Sequence, residues 1–209
     1  ILYNKSNIPG RPESIGPHTS KISVFPKKSK NIIKYNKVLK SLLEGCRSLE
    51  RSGCKFIVIP CNTAHYWFED LQSKIKVPII NMPKEVFLHT KKNCKKNSKI
   101  GLLATEGTLK TGIYEKLFKK DFIIIKPTQK IQIQSVNKAI RHVKMGNVRL
   151  GEKSIKQAID YLLKQKCKKI ILGCTELPIA IFAFKSFKKA GLSKVFLDPN
   201  LILATSSMA

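Results

Sequence analysis

Acidic residues are scarce in this sequence. Of 209 residues, 13 are Asp or Glu against 40 Lys or Arg, giving a formal net charge of +27 and a pI of about 10.0. Such an excess steers small anions toward the chain. Arginine is scarce too, at five residues, and arginine is what bidentate nucleic-acid contacts lean on. The lysines run from Lys5 to Lys194 in short pairs such as Lys27-Lys28 and Lys119-Lys120. A solvated lysine-rich surface is therefore favoured over a dedicated nucleic-acid face. No stretch approaches the ~18 apolar residues of a membrane span, and no basic-then-apolar leader opens the chain. No Gly-x-Gly-x-x-Gly run cradles a phosphate. The six cysteines form no Cys-x-x-Cys and no zinc-finger spacing. The expected compartment is the reducing cytoplasm, with the cysteines as thiols.

What is present is an ordinary globular composition, 43% hydrophobic and 25% charged. A chain of this length buries about 70% of its unfolded surface without a disulfide or metal staple. Residues 1–30 read as an irregular Pro, Ser and Lys segment. Helical spacing of Val38, Leu39, Leu42, Leu43, Cys46 and Leu49 predicts a helix over 31–52, ended by Gly53. Apolar runs predict strands over 55–60, 77–80, 99–104, 122–125, 169–172 and 195–197. A turn over 61–65 and then a helix to about 74 are predicted, with further helices over 84–94, from 108 to 120, over 132–144, 152–164 and 176–189, and from Leu201 on, and a linker over 146–151. Alternating strands and helices mean an α/β fold of parallel sheets flanked by helices. Ligands in such folds bind outside the carboxyl ends of the strands.

Two of those strand ends repeat. Cys54-Lys55-Phe56-Ile57-Val58-Ile59-Pro60-Cys61 and Cys167-Lys168-Lys169-Ile170-Ile171-Leu172-Gly173-Cys174 each lead a buried strand with Cys-Lys and end it in a cysteine, 113 residues apart. The repeat predicts two similar lobes related by an approximate two-fold, with Cys61 and Cys174 facing one cleft. A cysteine before a helix feels the positive helix N-terminus, so both thiols are expected to have a lowered pKa. Cys54 and Cys167 sit at the opposite strand ends and are expected to be inert. Two facing thiols suit stereoinversion, one removing a proton from carbon and the other delivering one to the opposite face. Two structural cysteines in a duplicated fold are the other reading, and spacing leaves the two about even.

Pro60-Cys61-Asn62-Thr63-Ala64-His65 resembles the first-cysteine motif of the aspartate/glutamate racemase superfamily, and Leu172-Gly173-Cys174-Thr175-Glu176-Leu177-Pro178 resembles its second. Asn-Thr-Ala-His after the first cysteine is similar to the aspartate racemase branch. Ile8-Pro9-Gly10-Arg11, Gly101-Leu102-Leu103-Ala104-Thr105-Glu106-Gly107-Thr108, Val143-Lys144-Met145-Gly146 and Asp198-Pro199 resemble further family elements, so the likeness covers nearly the whole chain. It implies two α/β lobes, residues 1–97 joined by the tail 198–209, and residues 98–197. It implies racemisation of aspartate or glutamate without pyridoxal phosphate, metal or other cofactor, with Cys61 and Cys174 as catalytic bases. Gly10 stands where the family has Asp. The family's opening strand and Gly-Gly-Met-Gly-Pro turn are missing, so the chain, which starts at Ile1, reads as an N-terminally truncated member.

The resemblance implies that Arg11 and Lys144 hold the substrate's side-chain carboxylate. Asn62, Thr63, Thr105, Thr108 and Thr175 are candidates for its α-carboxylate, although each Thr alone is more often a helix cap. Glu176 favours the helix dipole and is a candidate for the substrate ammonium. His65 tunes Cys61 or the ammonium, or makes a structural hydrogen bond. The expected partner is a small acidic amino acid, with no membrane or nucleic acid, and a homodimer is left open. The alternatives are a related dicarboxylate isomerase or decarboxylase and a basic nucleic-acid or anion-binding protein on an inactive racemase scaffold. Two intact cysteines favour racemisation over the isomerases.

Overall fold

The computed structural model describes residues 29–183, 187 and 191–208, with side chains from residue 36 on. Arg11 and the rest of the N-terminal segment lie outside the described residues. The first helix, α1 (Ser29–Arg51), buries Val38, Leu42 and Cys46 on one stripe. Gly53, at φ 77°, turns the chain out of it. Strand β1 (Ile57–Val58) pairs in parallel with β2 (Ile79–Ile80). Both are shorter than the apolar runs predict. Pro60 and Pro78 flank the pairing, and proline donates no ladder hydrogen bond. Between them lie a tight helical turn (Thr63–Trp67) and α2 (Phe68–Gln72), the predicted turn and helix. These elements pack into a cluster centred on Trp67, Leu71 and Ile57.

Helix α3 (Met82–Asn93) follows, then β3 (Lys99–Ala104), α4 (Glu106–Thr111), α5 (Ile113–Phe118) and β4 (Ile123–Ile125). The helix predicted up to residue 120 is broken in two at Gly112, which sits at φ 63°. Helix α6 (Gln129–Ile131) widens into a π-helical stretch (Gln132–Asn137) before α7 (Lys138–Lys144). Helix α8 (Val148–Lys164), β5 (Lys169–Gly173), α9 (Glu176–Phe182), a short 3₁₀ turn (Leu192–Val195), β6 (Phe196–Leu197) and α10 (Pro199–Ser206) complete the described chain. The predicted 146–151 linker is mostly helix: only Gly146 turns, at φ 79°, while Gly151 lies inside α8. A Cβ there would come within 2.7 Å of Val143 Cγ2, so glycine lets α8 approach α7. Helix α9 ends at Phe182, and most of the remaining stretch predicted as helix to 189 lies outside the described residues.

The second sheet has four parallel strands in the order β4-β3-β5-β6. Its faces alternate as period-2 packing demands. Ile100, Leu102, Ala104 and Ile171 meet α3, α5 and α10 through Val86, Phe118 and Ile202. Leu103, Ile170 and Leu172 meet α8 and α9 through Ile159, Leu162 and Leu177. The fold is thus α/β, with parallel sheets flanked by helices. Among the described residues no helix is long and apolar enough to cross a membrane.

The repeat extends past the cysteines. Ile57 pairs with Ile79 and Val58 with Ile80, while their repeats Ile170 and Ile171 pair with Phe196 and Leu197. After each second strand comes a side-chain cap: Asn81 accepts from the Lys84 N–H at 3.2 Å and Asp198 from the Asn200 N–H at 2.9 Å. Each cap is followed by a first-turn proline, Pro83 or Pro199. The capped helices α3 and α10 pack against each other. Sequence reading missed this part because only polarity and proline placement are kept, not residue identity.

Candidate active site

Strand ends β1, β3 and β5 and the end of α7 converge on one solvent-open cleft with a cavity of about 90 Å³. Cys61, Asn62, Thr63, Thr105, Lys144, Cys174, Thr175 and Glu176 line it, with Gly173. Glycine at 173 lets β5 lie close to β3, since a Cβ would sit 3.0 Å from that of Ala104 and 3.3 Å from the Leu103 carbonyl oxygen.

The two cysteines occupy one backbone turn used twice. The Cys61 N–H donates to the Ile59 carbonyl at 2.7 Å and that of Cys174 to Leu172 at 2.8 Å. Each cysteine carbonyl then accepts from the residue three ahead, Ala64 at 3.2 Å and Leu177 at 3.1 Å. This duplicated turn presents both side chains to the cleft.

Their surroundings differ. Cys174 is buried and its thiol donates to Glu176 Oε2 at 2.8 Å. The Thr175 hydroxyl donates to the same oxygen at 3.0 Å, and Lys144 Nζ lies 3.8 Å from Glu176 Oε1. The expected lowering of the thiol pKa fails at Cys174. Burial raises it, and the charge of Glu176 raises it further; the partial charge of a two-turn helix does not offset them. For Glu176 itself burial raises the pKa, but hydrogen bonds from Cys174, from its own backbone N–H and from Thr175, with the charge of Lys144, outweigh that and hold the carboxyl below its usual range. Outside the cleft, burial pushes the Cys46 and Cys167 thiols up to about 11.

Two of the predicted residues sit behind the wall. Thr108 is 1% exposed. Its hydroxyl shares hydrogen bonds with Thr63 at 2.7 Å and Thr105 at 3.1 Å, so it braces two lining residues. His65 is 6% exposed, with both ring nitrogens engaged. Nε2 accepts from the Met82 N–H at 3.1 Å. Nδ1, which then carries the proton, donates to the Cys61 carbonyl at 2.9 Å. Burial lowers its pKa, so the ring is a neutral clamp between the cysteine turn and α3. The structural hydrogen bond is the expected role that the geometry displays. Arg11 lies outside the described residues.

Sequence reading missed Tyr114, Gln132 and Asn137. The Tyr114 hydroxyl, fully buried, donates to Asn62 Oδ1 at 2.5 Å, while Asn62 Nδ2 is buried at the cleft without a partner. Gln132, in the π-helical stretch, donates to the Ala104 carbonyl at 3.0 Å and to Asn137 Oδ1 at 2.8 Å. Asn137 donates to Glu106 Oε1 at 2.6 Å. This chain fixes the turn carrying Thr105. Such contacts join residues far apart in sequence, and no local pattern announces them.

Residues 9–206 match the family described as Asp/Glu/hydantoin racemase. The chain is 30% identical over 145 residues to the broad-specificity amino-acid racemase RacX of Bacillus subtilis, covering 69% of this chain and 62% of that protein. It is 31% identical over 135 residues to the glutamate racemase of Corynebacterium diphtheriae, covering 63% of this chain but 48% of that one. It therefore spans less than two thirds of either relative. Among solved structures it is similar to the aspartate racemase of Picrophilus torridus, with a TM-score of 0.75 and 26% identity over 99% of this chain and 76% of that one. It is also similar to an aspartate racemase homologue from Pyrococcus horikoshii, with a TM-score of 0.68 and 25% identity over 84% of this chain and 76% of that one.

Proposed function

Since this chain belongs to the Asp/Glu/hydantoin racemase family, we propose that it racemises an acidic amino acid, aspartate first and glutamate second, with Cys61 and Cys174 as the two bases and no cofactor. The observation that carries the reading is the duplicated turn, which puts both thiols on one cleft beside hydrogen-bond donors. One cysteine, as thiolate, takes the α-proton. The other, as thiol, gives its proton to the opposite face of the planar carbanion.

The α-proton of an amino acid is very weakly acidic, so donors aimed at the α-carboxylate must stabilise the charge that develops there. Asn62, Thr63, Thr105 and Thr175 supply them in this reading, with Thr108 bracing Thr63 and Thr105. Lys144, together with Arg11, holds the side-chain carboxylate, and Glu176 receives the ammonium. The cleft is lined from the end of β1 by Cys61 and from the ends of β3 and β5 by Thr105 and Cys174. Relatives named as aspartate, glutamate and broad-specificity racemases support an amino-acid substrate.

The test is to incubate the purified protein with L-aspartate, L-glutamate and L-alanine and to follow each D-enantiomer by chiral chromatography. D-aspartate is expected to form fastest. No product from any of the three, or a preference for alanine, would overturn the reading.

A further inference from the structure

The duplicated turn breaks its own symmetry two residues after each cysteine. In the first copy that position is Thr63, whose hydroxyl shares a hydrogen bond with Thr108 at 2.7 Å. In the second copy it is Glu176, whose Oε2 takes the Cys174 thiol proton in a 2.8 Å hydrogen bond. A thiol can donate to a carboxylate only while it keeps its proton. Were Cys174 to ionise, its buried thiolate would face the partly buried Glu176 carboxylate, a like-charge pair that reduced hydration makes costly. Among the described residues no carboxylate is hydrogen-bonded to Cys61.

Resting on the racemase reading, we propose that Glu176 is a positioning residue that keeps the proton on Cys174 in the substrate-free protein, so that the resting form holds Cys61 ready as base and Cys174 as acid. The charged groups facing Cys174 are Glu176 from α9 and Lys144 from the end of α7. Lys144 opposes the effect, but its ammonium is spent on the same carboxylate, 3.8 Å away. Burial of Cys174 acts in the same direction as Glu176.

The proton count closes. Cys61 thiolate takes the α-proton and becomes a thiol, while Cys174 gives its proton to carbon and becomes a thiolate beside Glu176. That state is the less stable one, and returning the proton to Cys174 through solvent resets the protein. The enantiomer whose α-proton faces Cys61 meets the ready form, and its mirror image waits for the other. Enantiomers have equal free energy, so kcat/KM is the same in both directions. The asymmetry therefore shows as KM and kcat both lower for the first enantiomer, in the same ratio.

The test reads the thiols directly and needs no turnover. Each cysteine is alkylated with iodoacetamide across a pH series, and peptide mass spectrometry follows Cys61 and Cys174 separately, because the thiolate is the form that reacts. In the wild-type protein Cys174 is expected to label only at pH values well above those that label Cys61. Glu176→Gln should bring the Cys174 profile down by on the order of one pH unit, about tenfold faster labelling at fixed pH, and leave Cys61 unmoved. Thr175→Val, which keeps the carboxylate, should leave the Cys174 profile high, which separates charge from packing. Coincident profiles in the wild type, or a Cys174 profile unmoved by Glu176→Gln in a variant with native circular dichroism, would overturn the proposal. Because labelling is independent of turnover, loss of racemisation and misplacement of the proton register as different results.

Discussion

The Tyr114 hydroxyl donates to Asn62 Oδ1 at 2.5 Å, across 52 residues of sequence. It ties α5 to the turn that carries Cys61 and orients the Asn62 amide with Oδ1 engaged and Nδ2 left over. Tyr114→Phe keeps the ring in its packing against Phe118 and removes only this bond. The cost is expected to be about 1–3 kcal/mol, because a buried acceptor loses its donor. A urea melt reads that loss. Steady-state kinetics should show a higher KM for aspartate, since the amide is no longer held.

His65 makes stability depend on pH. Burial lowers its folded-state pKa below the ordinary 6.5, so in acid the unfolded chain binds a proton that the folded chain refuses. Its contribution is complete above pH 6.5 and is lost as pH falls below that value toward the folded pKa. Protonating Nε2 also breaks the hydrogen bond from Met82. The urea midpoint should fall between pH 7 and 5 in the wild type, and by less in His65→Gln. Parallel profiles for the two proteins would show that the ring is not the source.

Lys144 is about half exposed and pairs with Glu176, so its removal should cost little stability. If it holds a substrate carboxylate, Lys144→Gln should lower kcat/KM for aspartate by roughly ten- to a hundredfold, the worth of a charge-assisted hydrogen bond of about 1.5–3 kcal/mol. Alanine, which has no side-chain carboxylate, should be nearly unaffected. Equal losses on both substrates would place Lys144 elsewhere in the chemistry.

Proton transfer between two thiols needs neither a metal nor a carbonyl cofactor. Racemisation should survive dialysis against EDTA and incubation with hydroxylamine, and should disappear after iodoacetamide. Loss on chelation alone would remove the cofactor-free mechanism.

The parallel sheets and the cysteine turns were legible because each rests on a short local signal. Ile100 to Ala104 and Ile170 to Leu172 are continuous apolar runs, and the Cys-Lys-strand-Cys pattern is written twice. The boundaries were not legible where a distant contact sets them. The π-helical stretch begins at Gln132, whose amide reaches the Ala104 carbonyl, and Gly151 marks a close helix crossing rather than a linker. The site residues could be listed but not sorted. Thr105 lines the cleft while Thr108 sits behind it, and they are one helical turn apart. The raised pKa of Cys174 was hidden for a related reason. The helix-dipole argument was applied to both thiols, and only the fold shows that Glu176 turns back onto one of them.

The two-base claim is tested most directly by α-proton exchange. Cys61→Ser and Cys174→Ser, each incubated in heavy water with L-aspartate and with D-aspartate, are followed by proton NMR and chiral chromatography. Each variant should lose racemisation, because inversion needs both thiols, yet the remaining cysteine should still wash out the α-proton of one enantiomer slowly, and of opposite enantiomers in the two variants. Racemisation at the wild-type rate in either variant, or exchange of both enantiomers by one variant, would contradict the mechanism.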